Sequence, residues 1–160
     1  MSAHDFTFDS IDGGTITLSS FAGKPILIVN TASECGYTPQ YEGLETLWSQ
    51  FRDRGLVVLG VPSNDFGAQE PSDETAILAF CRSRYQVDFP LTAKQSVIGG
   101  AAHPFYRWVV EEIGEAAAPK WNFHKYLVSP DGNMAGLWPS DVEPLDPEIT
   151  NAIESFLEDA

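Results

Sequence analysis

The sequence predicts an α/β fold in which helices flank a mixed central β-sheet. Two observations support this prediction: a strand–helix–strand order early in the chain, and a hairpin followed by a helix near its end. The 160 residues contain no internal repeat, low-complexity tract or linker-like charge block. We therefore expect one domain that spans residues 1–160.

The first half of the chain predicts a hairpin, two buried strands and the helix between them. Alternating apolar and polar residues on both sides of the turn at 12–14 predict an N-terminal β-hairpin. Continuous apolar runs at 26–29 and 56–61 suit strands that are buried on both faces. Apolar residues at three- and four-residue spacings predict a helix over 41–54, which Gly55 caps.

The second half predicts three helices and three short strands. A helix over 74–84 begins after an N-cap at Ser72 or Asp73, and its apolar side includes Cys81. The remaining elements are a short strand over 89–91, a helix from Pro104 to Glu112, strands over 126–128 and 134–138, and a helix from Pro147 with Asp146 as its N-cap.

The acidic composition excludes two classes of partner. With 9 basic and 23 acidic residues the formal net charge is −14, whereas nucleic acids and anionic membranes are bound by clustered Lys and Arg. No run of 18 apolar residues suggests a membrane span, and the first residues have neither the basic region nor the apolar core of a signal peptide. We therefore expect a cytoplasmic protein that binds neither nucleic acid nor membrane.

Cys35 is a candidate nucleophile because of its position. It lies between the buried run at 26–29 and the helix predicted over 41–54. Ligands bind at the carboxyl ends of strands in α/β sheets, and a helix N-terminus favours a thiolate. A buried structural cysteine is the alternative interpretation. Cys35 and Cys81 are the only cysteines, too few for a disulfide scaffold or a thiolate-rich zinc site.

Three motifs resemble the glutathione peroxidase family and occur in the family's order. They are the segments 30–38, 62–71 and 120–123, with sequences NTASECGYT, PSNDFGAQEP and KWNF. The similarity extends from about Asp5 to Phe156. The resemblance implies a thioredoxin-like fold, which agrees with the order of strands and helices above, and a peroxidase that reduces hydrogen peroxide and organic or lipid hydroperoxides.

The resemblance also implies a catalytic site built around Cys35. In the family, a cysteine or selenocysteine at this position reacts with peroxide, and Gln69, Trp121 and Asn122 match its partners. Neutral donors suit this reaction because they stabilise the sulfur anion and then the oxygen anion without forming a permanent ion pair. Without the resemblance, Trp121 would be interpreted as a core aromatic, Asn122 as a turn residue and Gln69 as a solvated loop residue.

Cys81 lies in a segment, 79–85, that resembles the one carrying the resolving cysteine in the thioredoxin-dependent branch of the family. The resemblance implies that Cys81 condenses with a Cys35 sulfenic acid and that thioredoxin reduces the disulfide. In that branch the helix partly unwinds to bring the two sulfurs together. Four alternatives remain open: glutathione as the reductant, a redox relay to a partner protein, a core role for Cys81, and a thioredoxin-like binding module whose cysteines are inert.

The three histidines give no evidence of a metal site. His4, His103 and His124 show no metal-binding spacing, so we expect no metal and no cofactor. A dyad of Cys35 with His103 or His124 is an alternative for hydrolysis, although no hydrolase motif supports it.

Two departures from the family pattern bear on the site and on assembly. Asp65 stands where the family usually has Gln; if its carboxylate, or that of Glu34, pointed inward, it would slow attack by Cys35. The short segment between His103 and Lys120 lacks the insertion that makes subunit contacts in tetrameric members, so we expect a monomer.

Overall fold

Four strands form a central mixed sheet, and two more form a separate N-terminal hairpin. The computed structural model describes residues 1–157. Its strands are β1 (Thr7–Asp9), β2 (Thr15–Thr17), β3 (Ile26–Thr31), β4 (Val57–Pro62), β5 (Lys125–Val128) and β6 (Met134–Trp138). Its α-helices are α1 (Gln40–Phe51), α2 (Glu74–Tyr85), α3 (Pro104–Ile113) and α4 (Pro147–Glu154). The predicted α/β class, the mixed sheet and the N-terminal hairpin are confirmed.

The central sheet has the strand order β4-β3-β5-β6. β3 pairs with β4 in parallel and with β5 in antiparallel register. Every residue of β3 and β4 is buried, which explains why both read as continuous apolar runs rather than as alternating ones. As a result of this pairing, the carboxyl ends of β3 and β4 and the amino end of β5 meet at one edge of the sheet.

Two apolar clusters cover the two faces of the sheet. Ile26 and Ile28 of β3 pack in the cluster that contains the buried residues of α3. Leu27 and Val29 pack in the other cluster, together with buried residues of α1, α2 and α4. Successive β3 side chains thus enter opposite layers, as the two-residue period of a strand requires. No helix within 1–157 is both long enough and apolar enough to cross a bilayer.

The predicted strand over 89–91 is wrong. This segment forms only an isolated bridge between Leu91 and Gly60, flanked by hydrogen bonds from Gly60 N–H to the Pro90 carbonyl and from Thr92 N–H to the Gly60 carbonyl. Pro90 has no N–H to donate, so a regular ladder cannot continue through it. A Cβ on Gly60 would lie 2.6 Å from Leu91 Cδ2, so this close approach requires glycine.

The structure confirms the predicted caps of two helices and shows that α1 is shorter than predicted. α1 ends at Phe51, and the 3₁₀ turn Arg52–Arg54 continues to Gly55, whose φ of +115° makes it the expected left-handed cap. Asp73, not Ser72, is the N-cap of α2, because its carboxylate accepts the Ala76 N–H at 3.0 Å.

Candidate active site

Three loops meet at the edge where β3 and β4 end and β5 begins. The Cys35 loop follows β3, the loop with Gln69 follows β4, and the turn with Trp121 and Asn122 precedes β5. Four of the five residues that the sequence singled out therefore lie at one edge of the sheet. Cys81 lies in α2, outside this edge.

Cys35 lies in the turn that connects β3 to α1, separated by four residues from the first residue of α1, Gln40, and is only 8% exposed. Its N–H donates to Thr38 Oγ1 at 2.9 Å, and Thr38 Oγ1 donates to the Ala32 carbonyl at 2.8 Å. The Tyr37 N–H donates to Cys35 Sγ at 3.3 Å. An N–H directed at sulfur stabilises negative charge that develops there. The turn thus holds Cys35 Sγ in place and places a donor beside it.

Gln69 and Asn122 are joined by a side-chain hydrogen bond. Asn122 is fully buried, and its Nδ2 donates to Gln69 Oε1 at 2.9 Å. This bond occupies the Gln69 oxygen. The other polar group of the Gln69 side chain, Nε2, is a hydrogen-bond donor. Among residues 1–157, neither Gln69 Nε2 nor the Trp121 indole N–H donates to another protein group, so both can donate to a bound molecule.

Trp121 packs closely against the loop that carries Gln69. Its ring centroid lies 5.7 Å from that of Phe66. Gly67 has a φ of +67°, and a Cβ on it would lie 3.0 Å from Trp121 Cη2 and 3.4 Å from Gln69 Cγ. Glycine is therefore required at 67, both for the backbone conformation and for the contact between the Trp121 ring and Gln69.

The turn at 121–123 is held by two buried side chains that the sequence analysis did not identify. Asn30 Nδ2 donates to the Trp121 carbonyl at 2.9 Å, and the Phe123 N–H donates to the Asn30 carbonyl at 2.6 Å. Phe123 has a φ of +66°, a costly conformation for an aromatic residue. Lys125 Nζ donates to the Phe123 carbonyl at 2.7 Å. These bonds hold the strained turn in place and so orient Trp121 and Asn122.

Lys125 is fully buried, and burial lowers the pKa of its ammonium to about 8. Its Nζ also donates to the Ser140 carbonyl at 3.3 Å, which accepts a second bond from Gln40 Nε2 at 2.7 Å. Lys125 thus joins the turn before β5 to the first residue of α1. In the sequence, Asn30 and Lys125 are polar residues inside or beside an apolar strand run. A search for reactive residues does not select such positions.

Backbone and side-chain contacts join the Cys35 loop to the Gln69 loop. The Glu34 N–H donates to the Gln69 carbonyl at 3.0 Å, and Ser33 Oγ donates to Glu70 Oε1 at 2.8 Å. Glu70 is fully buried, and burial raises the pKa of its carboxyl group. Glu70 was also missed by the sequence analysis, since its type alone suggested a solvated loop.

The two acidic side chains near the motifs do not enter the site. Asp65 Oδ2 accepts the Val97 N–H at 2.6 Å, the Ile98 N–H at 3.2 Å and the Ser96 hydroxyl at 3.0 Å. Its carboxylate therefore anchors the loop before α3. Glu34 is exposed to solvent.

Cys81 has very different surroundings. It is fully buried in the apolar cluster beneath α2, and it is a free thiol like Cys35. Burial raises the pKa of Cys81 to about 11, and the neighbouring Tyr41 hydroxyl offsets this only in part. Cys81 is therefore protonated and enclosed at neutral pH.

Two of the histidines pack against aromatic rings: His103 against Phe8 and His124 against Tyr126. His103 Nδ1 accepts the Phe105 N–H at the start of α3, its Nε2 donates to the Thr7 carbonyl, and its ring stacks on Phe8 at 3.8 Å. Burial lowers the pKa of His124 to about 4, and neither of its ring nitrogens has a hydrogen-bond partner within residues 1–157. Neither ring bonds Cys35 Sγ, so no contact supports the hydrolase dyad. The same residues contain no group of three or more His, Cys, Asp or Glu that could hold a metal ion.

Comparison with known proteins identifies one family. The family model described as glutathione peroxidase matches residues 3–110. The hydroperoxy fatty acid reductase gpx1 of Synechocystis is 43% identical, over 96% of this chain and 95% of the relative. The thioredoxin/glutathione peroxidase BtuE of Escherichia coli is 37% identical, over 92% of each chain.

Solved structures show the same fold. The crystal structure of T. cruzi GPX1 has a TM-score of 0.75 and 30% identity, covering 96% of this chain and 97% of that one. A thioredoxin family thiol:disulfide interchange protein from Chlorobium tepidum has a TM-score of 0.72 at 14% identity, covering 97% and 94% of the two chains. The second likeness shows the fold alone. It confirms the thioredoxin-like fold that the sequence predicted.

Proposed function

Given that the chain belongs to the glutathione peroxidase family and is a peroxidase that reduces hydroperoxides, we propose that Cys35 attacks the peroxide and that Cys81 resolves the product. The observation that carries this proposal is the Asn122–Gln69 hydrogen bond at 2.9 Å. It orients the Gln69 amide as a donor in the loop whose backbone is bonded to the residue before Cys35.

In the first step, the Cys35 thiolate attacks the terminal oxygen of the hydroperoxide. A sulfur–oxygen bond forms and the oxygen–oxygen bond breaks, so sulfur is oxidised to a sulfenic acid and the peroxide is reduced to an alcohol or water. The departing oxygen carries the negative charge until it takes a proton. Gln69 Nε2 and the Trp121 indole N–H stabilise this charge because they are neutral donors that need no reorganisation.

In the second step, the Cys81 sulfur attacks the Cys35 sulfenic acid. A disulfide forms, and the Cys81 proton leaves with the hydroxyl group as water. Cys81 is fully buried, so α2 must first open locally. Two features of α2 support this opening: only Ile77 and Cys81 of its 12 residues are buried, and its C-cap Gln86 has a φ of +52°. A left-handed non-glycine cap holds a helix end less firmly than glycine does.

We take a thioredoxin-type dithiol as the reductant of this disulfide. The E. coli relative is named thioredoxin/glutathione peroxidase, so glutathione is the second candidate. Arg82 and Arg84 are exposed on either side of Ser83 in α2, and they supply positive charge beside Cys81 in an otherwise acidic protein. A thiol donor that docks at α2 would reach Cys81 once the helix opens.

Because the cycle needs a steady supply of such thiols, we also propose a cytoplasmic location, which cell fractionation tests. We further propose that the enzyme is a monomer.

The test is intact-mass analysis after one equivalent of peroxide, on the parent protein and on Cys35→Ser and Cys81→Ser variants. We expect the parent to lose two hydrogens and the Cys81→Ser variant to carry a sulfenic or over-oxidised Cys35. An unmodified parent would exclude the mechanism. Full turnover of Cys81→Ser with thioredoxin would exclude only the resolving role. Rapid multiple turnovers favour the enzyme, whereas slow turnover with a trapped mixed disulfide to one client protein favours the relay.

A further inference from the structure

Glu70 is a fully buried carboxyl group between the two segments that carry the cysteines. It lies shortly before α2, which begins at Glu74. Its Oε1 accepts the Ser33 hydroxyl at 2.8 Å, and Ser33 lies two residues before Cys35. The carboxyl group is therefore bonded to the turn that carries Cys35, while the backbone of the same residue leads into the helix that carries Cys81.

One oxygen of this carboxyl group is free to accept a proton. Within residues 1–157, Glu70 Oε2 is buried and has no hydrogen-bond partner. Buried polar atoms are nearly always hydrogen-bonded, so an unpaired buried carboxyl oxygen calls for an explanation. The second step of the proposed function has a proton to move, because the Cys81 thiol must lose its proton before the disulfide is complete.

The Glu70 carboxyl group interacts electrostatically with Cys81. Burial is the main reason for the raised pKa of Cys81, and the negative charge of Glu70 adds to it. The pKa of Tyr41, whose hydroxyl neighbours the Cys81 thiol, is likewise raised mainly by burial and in part by Glu70. Because the interaction between two charges weakens with distance, Glu70 lies on the side of the Cys35 turn that faces Cys81.

The surroundings of Glu70 suit a base. Burial raises the pKa of its carboxyl group, which makes the carboxylate a stronger proton acceptor than an exposed one. Hydrogen bonds from Ser33 and the charge of Lys94 act in the opposite direction and favour the carboxylate form, and the charge of Glu34 again raises the pKa. The carboxylate is thus both available and basic.

Glu70 is held by groups that do not belong to α2. Its N–H donates to Asn64 Oδ1 at 2.9 Å, and its carbonyl accepts Lys94 Nζ at 3.2 Å. Its side chain is held by the hydroxyl in the Cys35 turn described above. Local opening of α2 therefore leaves the carboxyl group beside this turn, and Cys81 meets Glu70 where it meets Cys35.

We infer that Glu70 accepts the proton of Cys81 when the disulfide forms. The inference rests on the proposed function and adds a base to its second step. The Cys81 proton moves to Glu70 Oε2, the Cys81 sulfur bonds to the Cys35 sulfur, and the sulfur–oxygen bond of the sulfenic acid breaks. Cys81 is oxidised and the sulfenic sulfur is reduced. The departing hydroxide takes the proton from Glu70, so the products are a disulfide, one water molecule and the original carboxylate.

The test follows disulfide formation in a single turnover, after one equivalent of peroxide has oxidised Cys35, between about pH 6 and pH 8. Glu70→Gln keeps the size of the side chain and an acceptor for Ser33 but cannot take the proton. We expect it to slow disulfide formation about 10²-fold at neutral pH. Its remaining rate should rise about tenfold per pH unit, because only thiolate formed in water then reacts, whereas the parent rate should rise less than about threefold per unit.

Glu34→Gln is the matched control. Glu34 is an exposed carboxylate in the Cys35 turn, so this variant removes the same charge without removing the proposed base. We expect it to change the rate of disulfide formation less than twofold and to keep the pH dependence of the parent. Circular dichroism and the oxidation of Cys35 itself establish that both variants are folded.

Three outcomes would overturn the inference. The first is equal disulfide formation in Glu70→Gln and the control. The second is a slower Glu70→Gln variant with the pH dependence of the parent, which would mean that Glu70 only positions the Cys35 turn. The third needs no variant and is a parent rate that rises tenfold per pH unit. A parent protein that oxidises Cys35 but forms no disulfide with Cys81 would instead exclude the resolving role in the proposed function.

Discussion

The two cysteines lie in surroundings of opposite character. Cys35 sits at the edge of the sheet, in a turn that directs the Tyr37 N–H at its sulfur, and it keeps 8% of its surface exposed. Cys81 is fully buried in a helix, and burial raises its pKa to about 11. The difference indicates that the first oxidation needs no rearrangement, whereas the second requires a conformational change. The fold thus places the thiol that reacts with peroxide, Cys35, and the thiol that reacts with the sulfenic acid, Cys81, in different environments.

Among the changes considered, replacing Cys35 should have the largest effect on the rate of peroxide reduction. We expect Cys35→Ser to lower peroxide reduction by at least about 10³-fold, because a hydroxyl group is a far weaker nucleophile than a thiolate at neutral pH. Stopped-flow peroxide consumption measures this. In the same experiment Cys81→Ser should consume the first equivalent of peroxide at the parent rate. A slow first equivalent in Cys81→Ser would mean that the two cysteines are not separated in this way.

Removing one donor at the edge of the sheet should slow only the first step. We expect Gln69→Ala to lower the rate of Cys35 oxidation by about 10²-fold, the scale of losing one oxyanion donor. The rate of disulfide formation after oxidation should stay unchanged. The matched control is Gln50→Ala, because Gln50 is exposed on α1, away from the three loops. A Gln69→Ala variant that oxidises as fast as the control would remove Gln69 from the mechanism.

The buried thiol predicts a loss of stability at alkaline pH. The folded state holds the Cys81 proton up to a pKa of about 11, compared with 9.0 for an unperturbed thiol. Between these values the folded protein binds the proton more tightly than the unfolded chain, so stability falls as pH rises from 9 to 11. We expect a loss of about 3 kcal/mol relative to a Cys81→Ala variant. Urea denaturation of both proteins across this pH range measures it, and parallel curves would contradict the prediction.

Weakening α2 should speed the second step slightly. Asp73→Ala removes the side-chain cap at 3.0 Å from the Ala76 N–H, which costs the helix about 1 kcal/mol. Opening of α2 should become about fivefold more frequent, and disulfide formation should accelerate by the same factor with no change in Cys35 oxidation. Asp53→Ala, at a 95% exposed side chain outside α2, is the control. Slower disulfide formation in Asp73→Ala would show that an intact α2 promotes resolution.

The predictable part of the fold was the part dictated by periodicity. The continuous runs that became β3 and β4 and the spaced apolar residues of α1 were recognisable because burial imposes a pattern on the residues themselves. The strand predicted over 89–91 is wrong because three apolar residues do not show whether a neighbouring strand can form a regular hydrogen-bond ladder with them. That depended on Pro90 and on the approach of Gly60.

The residues of the candidate site also fall into those that the sequence predicted and those that it did not. Cys35 was suggested by its place between a strand and a helix, and Gln69, Trp121 and Asn122 were found only through the family resemblance. Asn30, Glu70 and Lys125 were missed because they do not react with peroxide themselves. Their importance comes from burial and from the carbonyl, amide or hydroxyl groups that they meet across the fold.

By itself, the sequence determined the α/β class, the order of the elements, the acidic surface and the chemical identity of the two thiols. These properties follow from residue types and their local spacing. The tertiary structure decided which loops meet at the edge of the sheet and that Asp65 turns away to anchor the 97–102 loop. It also decided that Cys81 is fully buried whereas Cys35 keeps 8% of its surface exposed. Such facts depend on contacts between residues far apart in the chain, and local spacing carries no information about them.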